Sequence, residues 1–391
     1  MKKLNIAIVC DPISHLTSGS MVSTIRFAEH LKEHGHKIVF IAAKDADKKS
    51  ISHFKLFKIY RFRSLALPGS KGQYLLSLPN KKKIKEILLK EKIDVLHAID
   101  PTPASIICIN AANSLGIPTI AHSHTQPENI CLQLPKIIQG KKLKDIVYKY
   151  MVWIYRKVDR VLCPSEFAKR MLEKYDKTLK IIVVSNGVNL SKFKKINPNP
   201  FIKKYNLSKK DKRILYVGRL HVEKSVHTLI EAMPFILKKS KNTHLDIVGV
   251  GHLREELENL AEKLNVKNNV TFYGRLTEKE LLMAYNTADI FILPSIAELE
   301  GMVVLEAMAT GKPIIISDSK SSASSDFVKG NGFLFKLQNP RDLAKKVLRL
   351  LKNEALYKKM AAKSYEYAKA YDINKSVDKL EKIYYSTKKI N

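Results

Sequence analysis

Short apolar segments alternate with longer helical stretches from one end of the chain to the other. Segments rich in Ile, Val and Leu at this spacing are typical of parallel strands that are buried on both faces. The pattern therefore predicts two series of βαβ units and two parallel sheets. The predicted strands cover residues 4–10, 36–43, 94–99, 118–124, 160–165 and 181–186 in the first series, and 213–219, 245–249, 270–274, 289–295 and 313–318 in the second. Helices are predicted between them, for example over residues 20–34, 81–92 and 102–115.

A polar segment over residues 191–212 separates the two series. It contains two Asn-Pro steps and many lysines, a composition typical of a linker between domains. From residue 353 onward the chain is predicted to be helical and carries no strand pattern. We therefore predict a first Rossmann-like domain over residues 1–195, a second over 196–365, and a helical segment over 366–391 that returns to the first domain.

The net charge adds a question about partners. The chain has 391 residues, with 69 Lys and Arg against 37 Asp and Glu, which gives a formal net charge of +32. Such a balance favours nucleic acid, an acidic membrane surface or phosphorylated substrates, although a lysine-rich proteome would produce it without any binding role. No helix-turn-helix, zinc-finger or RNP-type pattern accompanies the charge, so no nucleic-acid partner is predicted.

The sequence also bears on the compartment. The apolar run after the first lysines covers only residues 6–10, which is too short for a signal peptide, and no apolar window is long enough to span a membrane. Both observations predict a cytoplasmic protein. The cysteines are far apart and form no CxxC pair, which argues against disulfides and zinc sites. They are Cys10, Cys108, Cys131 and Cys163.

Candidate chemistry follows the predicted strands, because ligands of such sheets bind beyond the carboxyl ends of the strands. In the first series Gly19 lies in a Ser/Thr-rich loop that opens a helix, where backbone can approach a ligand closely. His122 and His124 come at the end of the predicted strand 118–124, on the same side of it. They are either a metal pair that lacks an obvious third ligand or neutral imidazoles that donate to a substrate.

In the second series two cations follow a strand. Arg219 ends the strand at 213–219, and Lys224 precedes a helix. Two cations at a strand end, beside a helix N-terminus, favour a diphosphate ligand. The alternative is a surface cluster, since Glu223 is able to pair with either cation.

Two carboxylates follow the strand predicted over 289–295. Glu298 lies on the loop, whereas Glu306 lies about one turn into the next helix. Gly301, Met302 and Val303 place backbone amides at the start of that helix. A carboxylate accepts two hydrogen bonds from a diol, so the arrangement suits a sugar nucleotide.

Taken together these segments resemble the retaining glycosyltransferases of family 4, the group 1 glycosyltransferases. The resemblance spans nearly the whole chain and is most specific in YVGRLHVEK and ELEGMVVLEAMATGKPII, which contain the E-x7-E signature. It implies an α/β fold of the GT-B type. In that fold two Rossmann-like, doubly wound parallel-sheet domains face each other across a cleft, and a C-terminal helix packs back.

The resemblance also implies roles for the matching residues. Arg219 and Lys224 would hold the donor diphosphate, and Glu306 would bind the ribose hydroxyls. The transferred sugar would contact His124 and Glu298, the two expected catalytic residues. The remaining donor-binding positions would be Gly19 and the amides of Gly301, Met302 and Val303. The reaction would be a front-face displacement with retention, without a side-chain nucleophile, cofactor or metal ion. The DxD sequence at Asp45 and Asp47 lies outside the donor domain and is interpreted as an ordinary loop.

A finer resemblance concerns the acceptor. Glu300 replaces an aromatic residue common in the family, and together with residues 59–79 it resembles members that glucosylate diacylglycerol-type lipids. This implies a UDP-glucose donor and a lipid acceptor at an anionic membrane surface. The predicted helix over 139–160 is apolar nearly all round and rich in cations, so it is either buried or a peripheral membrane contact.

Other interpretations remain. The first is a glycosyltransferase with a soluble or cell-envelope glycan acceptor, which would share every donor residue. The second is a GT-B epimerase, which would lack the E-x7-E block. The third is a basic binding protein without catalytic activity. The sequence leaves the oligomeric state open.

Overall fold

Two parallel sheets organise the chain, and each belongs to its own structural unit. The computed structural model describes residues 2–11, 19–44, 56–66, 75–132 and 140–387. The DxD residues Asp45 and Asp47 lie outside this part, as do residues 67–74 of the segment that resembles lipid glucosyltransferases. The first unit comprises Met1–Pro127, Lys141–Asn186 and Asn374–Asn391, and the second comprises Glu128–Gly140 and Gly187–Ile373. The sequence places its domain boundaries at residues 195 and 365.

The first unit is built on a seven-stranded parallel sheet in the order β3-β2-β1-β6-β7-β8-β9. Its central strands are buried along nearly their whole length, as an all-parallel sheet covered by helices requires. β4 and β5 form a separate antiparallel pair. In chain order the strands are β1 (Asn5–Val9), β2 (Lys37–Ala43), β3 (Lys58–Phe62), β4 (Ser64–Ala66), β5 (Leu75–Ser77), β6 (Val95–Ala98), β7 (Thr119–His122), β8 (Arg160–Cys163) and β9 (Ile181–Val183).

Helices lie between these strands, and capping residues and left-handed backbone conformations set where they begin and end. Asn80 caps the second helix by accepting a hydrogen bond from the Lys82 amide at 2.8 Å. That helix ends before its predicted limit because Lys92 takes a left-handed conformation with φ of 53°. The helices up to residue 186 are α1 (Gly19–Glu33), α2 (Lys81–Lys90), α3 (Pro103–Asn113), α4 (Pro127–Leu132), α5 (Lys141–Tyr155) and α6 (Glu166–Glu173).

The second unit has a six-stranded parallel sheet in the order β12-β11-β10-β13-β15-β17, with β14 and β16 as a separate parallel pair. Its strands are β10 (Lys212–Val217), β11 (Thr243–Val248), β12 (Val270–Gly274), β13 (Ile290–Leu293), β14 (Ala297–Glu298), β15 (Ile314–Asp318), β16 (Ser321–Ser322) and β17 (Gly332–Lys336). The later helices are α7 (Asn199–Lys204), α8 (His227–Leu237), α9 (Arg254–Lys263), α10 (Glu278–Thr287), α11 (Met302–Ala309), α12 (Pro340–Leu351), α13 (Glu354–Ala368) and α14 (Ile373–Thr387). Short 3₁₀ helices cover Val222–Lys224, Lys267–Asn269, Ser324–Phe327 and Lys369–Tyr371.

The two α/β sheets confirm the predicted parallel architecture, but several details of the prediction are wrong. β3, β4, β5, β14, β16 and β17 were not predicted. β3 (KIYRF) mixes polar and apolar residues because it is an edge strand that stays partly exposed. The predicted strand 118–124 ends early, since the ladder closes with the Ser123 amide donating to the Leu162 carbonyl. His124 therefore lies on a loop.

The linker interpretation of residues 191–212 is also wrong. Phe193 and Phe201 are 3% and 1% exposed and belong to the core of the second unit, and α7 forms within the segment. The Phe201 ring packs against Tyr205 and Tyr273 at centroid distances of 4.6 and 5.4 Å. The prolines and lysines that indicate a linker lie on the surface of a packed segment.

The helix predicted over 139–160 is only partly buried. Its buried face carries Tyr148, Met151, Val152, Ile154 and Tyr155. The exposed apolar side chains are Ile146, Tyr150 and Trp153, which are 63%, 39% and 49% exposed. We call these three the α5 exposed face. Among the residues described here, no helix has the length and apolar character needed to cross a membrane.

The packing of α7 makes a stability prediction. Phe201→Ala should lower the free energy of unfolding of the second unit by about 3–5 kcal/mol, because it empties a fully buried aromatic position. Lys203→Ala, an exposed position on the same helix, should change it by less than about 0.5 kcal/mol. Calorimetric unfolding of both variants tests this. Equal stabilities would show that the segment is a linker.

Candidate active site

In the loop after β10, Arg219, one of the two predicted cations, forms an ion pair with a buried carboxylate. Arg219 Nη2 donates to Glu223 Oε1 at 2.9 Å, and the Glu223 side chain is fully buried. Its second oxygen, Oε2, is buried without a hydrogen-bond partner in the described part of the chain. Arg219 itself is 27% exposed, so the rest of its guanidinium remains accessible to an anion. The pairing of Glu223 with a cation, which the sequence analysis considered as an alternative, is therefore present, and the pair with Glu223 positions Arg219.

The second cation pairs with the first of the two carboxylates. Lys224 Nζ donates to Glu298 Oε1 at 2.5 Å, and both side chains are nearly buried, at 12% and 13% exposed. Ser295 Oγ donates to the same carboxylate oxygen at 2.9 Å. Lys224 ends the 3₁₀ helix that follows β10, and Glu298 belongs to β14, so two strand-end segments meet in this pair.

The start of α11 has the geometry of a backbone anion site. Gly301 caps the helix with φ of 96°, and a Cβ there would lie 2.3 Å from Ser324 Oγ, so only glycine fits. Ser324 Oγ in turn donates to the Glu300 carbonyl at 3.0 Å. Met302 and Val303 are the first helical residues, whose amides have no intrahelical acceptor. They are suited to bind oxygen atoms of a ligand.

Glu306 lies one turn further along α11 and is oriented by a tyrosine. Tyr285 on α10 donates from its hydroxyl to Glu306 Oε2 at 2.9 Å and also lies 3.3 Å from the Val303 carbonyl. Both side chains are buried. Sequence analysis did not identify Tyr285, because nothing in the pattern of α10 distinguishes it from an ordinary core residue.

The loops after β10, β11 and β12 are tied together by backbone hydrogen bonds. The Gly218 amide donates to the Val248 carbonyl at 3.0 Å, and the Gly249 amide donates to the Gly274 carbonyl at 2.9 Å. A Cβ on Gly249 would lie 1.8 Å from the Gly218 oxygen. These glycines therefore serve the close packing of the loops.

Two histidines near Arg219 were not identified from the sequence. The rings of His221 and His252 lie 4.7 Å apart. Burial, followed by the nearby charges of Arg219, His252 and Lys224, lowers the pKa of His221 to about 4. His221 is therefore held as a neutral imidazole, chiefly by its burial.

In the first unit three imidazoles stack at the ends of β6 and β7. The ring centroids of His97 and His122 are 5.6 Å apart, and those of His122 and His124 are 4.0 Å apart. His97 and His122 are buried and His124 is partly exposed. Tyr384 on α14 lies with its hydroxyl 2.8 Å from His97 Nδ1. We call His97, His122 and His124 the histidine stack.

All three imidazoles are held neutral. Burial, followed by the charge of His124, lowers the pKa of His97 to about 3, and burial lowers the pKa of His124 to about 4. Burial and the two neighbouring histidines lower the pKa of His122 well below its ordinary value. The Nε2 atom of each ring is buried without a hydrogen-bond partner in the described segments. Among the described residues no third ligand atom joins His122 and His124 in metal-binding geometry.

Two aspartates at neighbouring strand ends complete this region. Asp11 is buried and accepts hydrogen bonds from the Ala43 amide and from Ser77, which ties β5 to the sheet. Burial raises the pKa of Asp100 to about 7, while a hydrogen bond from Thr125 opposes the shift and Asp11 adds to it. Gly19 is the first residue of α1, and a Cβ there would meet no heavy atom of the described residues within 4 Å.

The two parallel-sheet units have the architecture of the GT-B fold. A sequence profile described as "Glycosyl transferases group 1" matches residues 199–369, and one described as "Glycosyltransferase Family 4" matches residues 17–192. The chain therefore belongs to the family 4, group 1 glycosyltransferases, as its motifs indicate.

Relatives with assigned activities support the same class. An alpha-monoglucosyldiacylglycerol synthase of Streptococcus pneumoniae is 26% identical over 80% of this chain and 70% of its own. An Escherichia coli UDP-Gal:alpha-D-GlcNAc-diphosphoundecaprenol alpha-1,3-galactosyltransferase is 25% identical over 76% of this chain and 77% of its own. The solved structure of Anabaena HepE in complex with UDP-glucose has a TM-score of 0.79 at 17% identity, covering 98% of this chain and 100% of that one.

The histidine stack makes the stability of the first unit depend on pH. Each imidazole has a folded-state pKa below its unfolded value of about 6.5, so the unfolded state binds protons first as the pH falls. The three histidines should therefore leave the free energy of unfolding constant above about pH 7 and lower it below about pH 6.5, by up to about 1.4 kcal/mol per pH unit for each. Asp100, whose pKa is raised to about 7, opposes this change by about the contribution of one histidine between roughly pH 4 and pH 7. Urea unfolding followed through Trp153, the single tryptophan, measures this.

His122→Phe keeps a ring in the stack and removes one titrating group. The variant should lose about half of the net pH dependence between pH 6 and pH 5, because Asp100 offsets about one of the three histidines. His227→Asn, in the second unit, should leave the transition reported by Trp153 unchanged. An identical slope in wild type and His122→Phe would mean that the stack is not neutral in the folded protein.

Proposed function

We propose that the protein is a retaining glucosyltransferase that uses UDP-glucose and glucosylates a diacylglycerol-type lipid at an anionic membrane surface. The observation that carries the donor part is the Lys224–Glu298 pair, a nearly buried cation and carboxylate joined at 2.5 Å beside Arg219. In this proposal the second domain, over residues 196–365, binds the donor. The first, over 1–195, supplies the acceptor side, and the segment over 366–391 returns to it.

The two cations stabilise the departing diphosphate. Lys224 has three N–H donors, so it is able to hold Glu298 and a phosphate oxygen together. Arg219 is fixed by Glu223 on one side and offers its remaining donors to the other phosphate. Because the charge that develops in the transition state lies on the diphosphate, this stabilisation lowers the barrier without a metal ion.

The carboxylates and amides hold the two sugars of the donor. Glu298, oriented by Lys224 and Ser295, accepts hydrogen bonds from hydroxyls of the transferred glucose. The amides of Gly301, Met302 and Val303 donate to sugar and phosphate oxygens. Glu306 binds the ribose diol with the carboxylate that Tyr285 orients.

The first domain contributes neutral groups. His124 is held as a neutral imidazole and donates to, or accepts from, a hydroxyl of the glucose near the reacting carbon. Gly19 opens α1 with no side chain, which leaves room for the donor. Front-face displacement with retention needs no protein nucleophile, so the two-carboxylate chemistry of glycosidases does not apply to Glu298 and Glu306.

The lipid acceptor is supported by a relative and by the surface of α5. The streptococcal relative is an alpha-monoglucosyldiacylglycerol synthase. In the α5 exposed face the Tyr150 and Trp153 rings stack at 6.2 Å, and Lys157 Nζ lies 4.5 Å from the Trp153 ring. Exposed aromatics beside cations on an amphipathic helix favour contact with anionic lipid headgroups, and the net charge of +32 acts in the same direction.

A cell-envelope glycan acceptor is the second candidate. The Escherichia coli relative is a galactosyltransferase whose named acceptor is a diphosphoundecaprenol-linked sugar. This candidate shares the whole donor site, so only the acceptor assay distinguishes the two.

The donor site is tested by Lys224→Ala. We expect a loss in kcat/KM of about 10²–10³-fold, as for removal of a group that stabilises transition-state charge, with an unchanged circular dichroism spectrum. Lys204→Ala is the matched control, because Lys204 pairs with Glu280 at 2.5 Å in the same unit but is exposed. Equal activities of the two variants would exclude Lys224 from the donor site. Release of UDP from UDP-glucose, with GDP- and ADP-glucose in parallel and EDTA present, is the measurement.

The membrane contact is tested by Trp153→Ala. Burying about half of an indole in lipid is worth roughly 1–2 kcal/mol, so affinity for vesicles of anionic lipid and diacylglycerol should fall roughly tenfold. Glucosylation of lipid in those vesicles should fall in parallel, whereas hydrolysis of UDP-glucose without vesicles should not. The control is Tyr365→Ala, since Tyr365 is also 45% exposed and lies 5.2 Å from Lys369 Nζ. Unchanged vesicle binding by Trp153→Ala would remove α5 from the membrane surface, and transfer only to soluble glycans would replace the lipid acceptor.

A further inference from the structure

A group of potential metal ligands lies in the first unit, away from the strand ends described above. Asp378 and Glu381 are three residues apart on α14 and so share one face of that helix. His34 follows the last residue of α1. One ligand atom from each of the three side chains lies within 4.8 Å of the other two. We call these residues the α14 cluster.

The separation of two ligand atoms fits a single ion. His34 Nδ1 and Glu381 Oε2 are 3.1 Å apart. Ligands about 2.0–2.1 Å from a zinc ion are roughly 3.0 Å apart at right angles and roughly 3.4 Å apart at the tetrahedral angle. The observed distance falls between these values, so an ion could bind both atoms with little movement of either side chain.

A buried histidine orients the Glu381 carboxylate. The Leu4 amide donates to His36 Nδ1 at 3.0 Å, which places the proton of the neutral ring on Nε2. His36 Nε2 then donates to Glu381 Oε1 at 2.5 Å, and the His36 side chain is only 1% exposed. Oε2 is thereby left facing His34. A ligand carboxylate fixed by a second hydrogen-bonded side chain is a regular feature of metal sites in proteins.

We propose that His34, Asp378 and Glu381 bind a divalent transition-metal ion of the Zn²⁺ type. One imidazole nitrogen and two carboxylates suit zinc, whereas magnesium and calcium prefer ligand sets made of oxygen alone. His34 is 35% exposed and Asp378 is exposed, so an ion has a route from solvent. The four cysteines are all buried and do not compete for a metal at the surface.

The bound ion would join α14 to the turn between α1 and β2. The same helix carries Tyr384, which contacts His97 of the histidine stack. Zinc would therefore fasten the helix that supports the stack, and its role would be structural. The proposal does not depend on the identity of the donor or the acceptor.

The variant Asp378→Asn distinguishes two interpretations of the α14 cluster, a metal site and a contact made only of hydrogen bonds. The hydrogen bonds among His34, His36 and Glu381 do not involve Asp378, so the variant keeps them. It removes one anionic ligand. Glu86→Gln, an exposed carboxylate on α2 of the same unit, is the matched control.

The experiment is a titration of chelator-stripped, full-length protein with Zn²⁺ by calorimetry, with thermal unfolding in parallel. Wild type and Glu86→Gln should bind one zinc ion per chain with a raised unfolding midpoint. Asp378→Asn should bind at least tenfold more weakly while its metal-free midpoint is unchanged. Co²⁺ should give d–d absorption bands that the variant lacks.

Several outcomes would overturn the proposal. No zinc-dependent shift in wild type, or equal zinc affinity in Asp378→Asn, would show that the α14 cluster is only a hydrogen-bonded contact. Equally tight binding of Mg²⁺ or Ca²⁺ would contradict the assignment to a transition metal.

Discussion

Burial of both faces of each sheet is the constraint on which the rest of the structure depends. Central strands such as β1, β6 and β13 are covered along nearly their whole length, so polar side chains there would lose hydration without a partner. The candidate chemical groups therefore gather at the ends of the strands of the two main sheets and just after them. The histidine stack lies at the ends of β6 and β7, and the Lys224–Glu298 pair joins the segments that follow β10 and β13. Each is held by groups from a second loop or helix.

The two units solve the problem of polar groups at buried strand ends in opposite ways. In the second unit the groups are charged, and each cation meets a carboxylate: Arg219 with Glu223 and Lys224 with Glu298. In the first unit the three imidazoles of the histidine stack are neutral, because burial opposes protonation and no carboxylate is paired with these three in the interactions described. A charged diphosphate suits the charged environment of the second unit, and uncharged sugar hydroxyls suit the neutral environment of the first unit.

Most of the sheet architecture was predictable because buried parallel strands leave a strong apolar signal. The edge strand β3 and the packed segment around Phe201 were missed for a related reason, since partial exposure and surface lysines hide the pattern of burial. At the candidate site, the charged residues and glycines could be identified from their position after a predicted strand. The residues that orient them could not be identified in this way. Tyr285 and the stacking of His97 depend on contacts between residues far apart in sequence, which no local pattern encodes. The pairing of Glu223 with Arg219 is local and was considered from the sequence, but the complete burial of Glu223 was not. The roles assigned to the site residues stay predictions.

The net charge of +32 is large, but it contributes little to the positive charge of the proposed donor site. Both donor cations are paired with glutamates, so the site gains no large surplus of positive charge from composition. What it gains is a pair of cations whose positions are fixed before a ligand arrives, which reduces the cost of reorganisation on binding. Most of the surplus positive charge lies on exposed lysines. Screening by salt limits the distance over which each of these charges acts to about a Debye length. In the proposed function an anionic surface is the partner on which many such weak contacts act together. The basic composition then bears on where the proposed reaction takes place, and the paired charges bear on the donor.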